Sequence, residues 1–180
     1  YLVKNCGNAP PLLTFSDCSQ IKTDNGSTED LIYYYKHNLL IKHIGDCIIK
    51  EYKKDNPEEQ SIWSSDTTRL TYMIKEILKD NTSNWMVDKK GIKVSKYIID
   101  PLLNFIREDI MMYIKDSKID VHKIDKNHLE NYTTNLQLSN SIIDDIDNGT
   151  LKNEILKMIG PFFYINKATI QNNITKITAG

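Results

Sequence analysis

The chain has 180 residues, 40% of them hydrophobic and 26% charged, and a formal net charge of −1. That length carries one well-buried core or two small ones, and that composition excludes wholesale disorder. Seven Gly and five Pro are too few for a turn-dense sandwich or barrel, and a charge near zero excludes any global attraction for nucleic acid or an anionic membrane.

Ile (26), Lys (21) and Asn (17) are abundant, and Lys outnumbers Arg 21 to 2. These residues have A/T-rich codons, so the bias points to an AT-rich genome and discounts any single Lys cluster or Asn sequon. Residues 61–118 hold ten bases against eight acids, whereas the segments on either side are net negative. Cys6, Cys18 and Cys47 are odd in number and irregularly spaced. That argues against a disulfide scaffold and fits a reducing, intracellular compartment. The sequons at Asn25, Asn81, Asn131, Asn148 and Asn173 read as chance in so Asn-rich a chain. No apolar run approaches the ~20 residues of a membrane span and no charged-then-apolar leader opens the chain, so no membrane partner is expected. Opening on Tyr1, the sequence is expected to be a piece of a longer protein.

Residues 1–28 read as an irregular arm, with Asn8-Ala9-Pro10-Pro11 blocking helix and Asp24-Asn25-Gly26-Ser27 forming a turn. A helix is predicted from Thr28, with Glu29 and Asp30 in its first turn. Its stripe runs through Leu31, Ile32, Tyr35, Ile44, Ile48 and Tyr52, and Gly45 is where it would break. A second helix is predicted over 67–79, capped by Ser65 or Asp66 and burying Leu70, Met73, Ile74 and Ile77. Next comes a hairpin over 85–99: Trp85-Met86-Val87, the turn Asp88-Lys89-Lys90-Gly91, then Ile92-Lys93-Val94. Asp100-Pro101 reads as cap and first residue of a helix to Asp116; the alternative is one helix from Ser95 kinked at Pro101. Helices over 127–146 and 150–159, parted at Asp147-Asn148-Gly149, precede a tail of mixed periodicity from Phe162.

Signatures of catalysis are missing: the sequence contains no GxSxG, P-loop, GxGxxG or HExxH. His43 and Cys47, four apart, fall short of the paired ligands a zinc site needs, so neither metal nor cofactor is expected. Asp144, Asp145 and Asp147 read as a solvated helix end. Trp63, Asp66 and Arg69 read first as a helix-start device, with ligand contact as the other reading. The stronger functional signal is the hairpin, where Lys89, Lys90, Lys93 and Lys96 fall within eight residues. Clustered cations on a projecting element suit phosphate contact, and Trp85 at the base could stack on a base or belong to the core. A solvated Lys-rich turn is the bland reading.

The run Gln60-Ser61-Ile62-Trp63, Ser65-Asp66, Arg69-Leu70-Thr71-Tyr72, with Trp85, Asp88-Lys89-Lys90-Gly91 and Ile98-Ile99-Asp100-Pro101-Leu102-Leu103, resembles an uncharacterised family of giant DNA viruses of the mimivirus type. Asn8-Ala9-Pro10-Pro11-Leu12 and Leu31-Ile32-Tyr33-Tyr34-Tyr35 share the likeness, which spans roughly residues 1–118. Members of that family often look as though a C2H2 zinc finger and a coiled coil precede this region. The resemblance implies a modular protein of the viral factory in the host cytoplasm, and it carries over no catalytic residue.

The expected fold is mainly α, a helical domain with a small β-hairpin, winged-helix-like in the middle. Its expected division is the arm 1–28, a helical core 29–118 with the hairpin 85–99, and a C-terminal helical region 119–180 packed on that core. The expected function is a non-catalytic module that binds nucleic acid or assembles a nucleic-acid-associated complex, with Lys89, Lys90, Lys93, Lys96, Arg69 and Trp85 as contacts. A protein–protein scaffold or oligomerisation domain, meeting viral partners or itself, is the first alternative, and an unrecognised enzyme such as a nuclease the second.

Overall fold

The computed structural model describes residues 2–23, 26–116 and 125–165. Helices dominate, around one three-stranded antiparallel sheet. The expected turn residues Asp24 and Asn25 and the tail from Asn166 lie outside the described residues.

The arm makes one helical turn, α1 (Leu2–Asn5), and a 3-10 turn at Cys18–Ile21. The first long helix comes in two pieces, α2 (Thr28–Lys36) and α3 (Leu40–Tyr52). The break expected at Gly45 falls instead at 37–39, where Asn38 takes a φ of 57°. Gly45 stays inside α3 for a packing reason: a Cβ there would stand 2.1 Å from the Met158 sulfur.

The helix expected over 67–79 is not formed. Strands β1 (Ile62–Asp66) and β2 (Thr71–Ile77) occupy this region, paired antiparallel. Asp66 does cap, its Oδ1 accepting from the amides of Thr68 (3.0 Å) and Arg69 (2.9 Å), but the cap closes a tight turn. Leu70, at φ 51°, then sends the chain back. In β2, Tyr72 and Ile74 face the main core while Met73 and Lys75 face the other side. This period-2 alternation prevails over the helical spacing of Leu70, Met73, Ile74 and Ile77, because β2 is the central strand, bonded on both edges.

The hairpin 85–99 is likewise corrected. Residues 85–87 belong to β3 (Ser83–Asp88), whose partner is β2, with Lys75 opposite Trp85 and Tyr72 opposite Asp88. Ile92–Val94, the expected return strand, is the helical turn α4. The winged-helix order expected in the middle is therefore absent: a strand stands in place of its last helix, and a helix in place of the wing's return strand. A π-helical turn (Ser95–Ile99) leads from α4 into α5 (Asp100–Asp116). Asp100 is thus no cap; its N–H donates to the Ser95 carbonyl. The alternative of one helix running into Pro101 holds, and the wide turn accommodates the ring and the missing donor.

The last two helices, α6 (Lys126–Asp147) and α7 (Thr150–Ile159), lie where periodicity puts them, parted at Asn148-Gly149, with Gly149 at φ 81°. One face of the sheet, with Ile62, Tyr72 and Ile74, joins the main core formed with α2, α3, α5, α6 and α7. Its other face carries Trp63 and Trp85 under Leu2, Cys6 and Ala9 of the arm. Among the described residues no helix is long and apolar enough to cross a membrane.

Candidate nucleic-acid interface

Two turns lie at one end of the sheet, on either side of β2. Tyr72 pairs with Asp88 and Thr71 with Asp66, so the β1–β2 turn holding Arg69 lies at the same end as the turn holding Lys89 and Lys90. Each turn is fixed by a carboxylate. Asp88, 3% exposed, accepts from the Lys93 amide through both oxygens (3.0 Å each) and from the Val94 amide through Oδ2 (2.9 Å). It thereby caps the helix that begins at Ile92 and spends its charge on backbone donors. Lys90 (φ 62°) and Gly91 (φ 63°) are both left-handed, and a Cβ on Gly91 would lie 2.6 Å from Leu156 Cδ2. The turn thus stands close against Leu156 of α7.

Lys89, Lys90 and Lys96 are exposed, and none makes an ion pair among the described residues. The Lys96 ammonium lies 5.8 Å from the Tyr97 ring centroid. Arg69 has 84% of its side chain exposed, and its Nε stands 3.8 Å from the Asp66 carboxylate. Lys93 differs: it is ion-paired with Glu76, which also accepts from the Tyr97 hydroxyl at 3.3 Å. Its charge is spent on holding the helix to β2. Trp85 is buried, its Nε1 donating to the Cys6 carbonyl (3.0 Å) and its ring lying 5.8 Å from the Lys75 ammonium. Of the six expected contacts, four thus face solvent unpaired or nearly so, Arg69, Lys89, Lys90 and Lys96, while Lys93 is part-exposed but ion-paired and Trp85 is buried.

The pair weighed as metal ligands has backbone work. His43 Nε2 donates to the Ile21 carbonyl (2.6 Å) and Cys47 Sγ to the Gln20 carbonyl (3.8 Å), fastening the 3-10 turn to α3. Burial pushes the thiols of Cys6, Cys18 and Cys47 up, so each stays protonated at neutral pH. Among the described residues no three His, Cys, Asp or Glu side chains gather as a metal site.

Sequence reasoning missed Asp88 as the residue that sets the Lys turn, although an Asp ahead of a Gly and a helical run is a capping signal. It also missed a cavity between α2, α3 and the α6–α7 junction, lined by Tyr35 and Asp145. Those residues are 110 positions apart, and no local pattern joins them. The chain matches no protein-family model, no curated protein and no solved structure.

Proposed function

We propose that the chain is a non-catalytic binding module that meets the phosphates of nucleic acid with Arg69, Lys89 and Lys90 at one end of the sheet and Lys96 on the helical turn that follows. One observation carries the reading: Arg69, Lys89 and Lys90 project from two turns at one end of the sheet whose own acids, Asp66 and Asp88, are engaged by backbone amides. Side chains of this kind recognise backbone charge, not base edges, so binding is sequence-independent and salt-dependent. In the setting the giant-virus resemblance implies, the module would hold a viral-factory protein on nucleic acid.

The test is fluorescence anisotropy on labelled duplex and single-stranded oligonucleotides, DNA and RNA, over a salt series. Four phosphate contacts give a duplex log–log salt slope of about −3.5. The triple variant R69E/K89E/K90E abolishes binding and leaves the melting temperature near wild type, since exposed charges contribute little to stability. No binding by wild type at low salt, or equal binding by the variant, overturns the reading.

A protein–protein scaffold is the second reading, and a specific feature favours it. Val87 (55% exposed) and Ile92 (67%) flank the same Lys turn, and β3 is an edge strand of the sheet. Apolar side chains beside an edge strand suit a protein partner. Self-association measured by sedimentation, lost in V87K/I92K, distinguishes a scaffold from a nucleic-acid binder.

A further inference from the structure

A second site lies away from the basic end of the sheet. The last turn of α2, the first turn of α3 and the α6–α7 junction enclose an open cavity of about 350 Å³. That is the small end of the range for ligand pockets. Leu40, Ile41, Leu138 and Leu151 supply apolar wall, and Lys36 and Asp145 supply one charge of each sign. Tyr35 fixes the acid, its hydroxyl donating to Asp145 Oδ2 at 2.6 Å. Burial and the neighbouring carboxylate push that phenol up to about 12, so it stays a donor at neutral pH. Asp145 Oδ1 has no partner among the described residues, and Lys36 makes no ion pair among them. Leu39, ahead of α3, provides no side-chain cap for the first amides of that helix.

A ligand with one charge would satisfy half of this arrangement, and a purely apolar one would leave both charges facing it. A zwitterion with an apolar body matches all three features. We propose that the cavity binds a free apolar α-amino acid. Its ammonium meets the open oxygen of Asp145, its carboxylate meets Lys36 beside the α3 amides, and its side chain lies on the leucine–isoleucine wall. The site is independent of the nucleic-acid reading and uses none of its residues.

The experiment is a methyl-detected NMR titration of the intact chain with L-leucine and L-phenylalanine. N-acetyl-L-leucine, which lacks the ammonium, and L-leucinamide, which lacks the carboxylate, serve as comparisons. Saturable shifts at Leu40, Ile41, Leu138 and Leu151 are expected for the two free amino acids. Binding should be at least about tenfold weaker for either blocked compound, each of which forfeits a charged contact. K36E should weaken leucine binding similarly, and because Lys36 is exposed this variant keeps its fold. D145N should do the same, with Tyr35 still able to donate to the amide oxygen. No saturable shift at millimolar leucine and phenylalanine overturns the proposal, as does equal binding of the blocked compounds or of K36E.

Discussion

Gly91 combines two constraints in one residue. Its φ of 63° belongs to the left-handed region, which costs an L-residue roughly 1–2 kcal/mol. A Cβ would also enter the space of Leu156, whose side chain is buried and held on several sides. Gly91→Val is therefore expected to lose about 2–4 kcal/mol in urea denaturation, the sum of backbone strain and overpacking. A loss below about 1 kcal/mol would mean the turn relaxes away from α7. The tyrosines set a second residue-scale expectation. Burial raises the phenols of Tyr35, to about 12, and of Tyr52 and Tyr72. A folded pKa above the unfolded value of about 10 means the native state holds more protons between the two. The stabilisation is full below pH 10 and is lost as the pH rises through 10 towards 12 and beyond. Melting temperature should fall over that window, and less steeply in Tyr72→Phe. A flat profile to pH 12 would contradict the burial of these rings.

Between elements, α3 and α7 meet where Gly45 accepts Met158. Ala in place of Gly favours a helix interior by roughly 0.5–1 kcal/mol, but here its Cβ must displace the methionine sulfur. Gly45→Ala should therefore be neutral or mildly destabilising alone and stabilising by about 0.5–1 kcal/mol in a Met158→Ala background. A double-mutant cycle with no coupling would show that the helices do not touch there. The same scale explains what was legible beforehand. The last two helices could be read because Asn148-Gly149 parts them, with Gly149 left-handed; the Asp125 cap that opens α6 is a local signal the reading did not use. Strand β2 could not be read, because Leu70, Met73, Ile74 and Ile77 fit a helix stripe and Asp66 is a real capping residue; tertiary pairing on both edges decided it. The candidate site inherits that limit. Exposure of Lys89, Lys90 and Lys96 and the left-handed Gly91 follow from local chemistry. The Lys93–Glu76 pair does not, since it requires β2 to be a strand beneath the helix.

Across the whole molecule the arm is a structural member that ties the sheet to the helices. The Leu12 amide donates to the Lys75 carbonyl (2.6 Å), the Phe15 amide to the Tyr97 carbonyl (3.0 Å), and the Tyr52 hydroxyl to the Leu13 carbonyl (2.9 Å). Ahead of these bonds, Leu2, Cys6 and Ala9 cover Trp63 and Trp85. The Lys75 ammonium, on a residue only 4% exposed, donates to the Gly7 carbonyl at 2.7 Å. The composition reads this stretch as irregular because its hydrogen bonds go to distant residues and not to its neighbours in sequence. A chain shortened to begin at Pro11 keeps the bonds of Leu12 and Phe15 but uncovers both of the protein's tryptophans. Loss of Leu2 alone removes roughly 1.5–3 kcal/mol of burial. The shortened chain should retain its helical far-ultraviolet spectrum, melt at lower temperature, and emit at longer wavelength with indoles open to acrylamide quenching. Unchanged emission would mean that the arm does not cover this face in solution, and that the second core is held by the sheet alone.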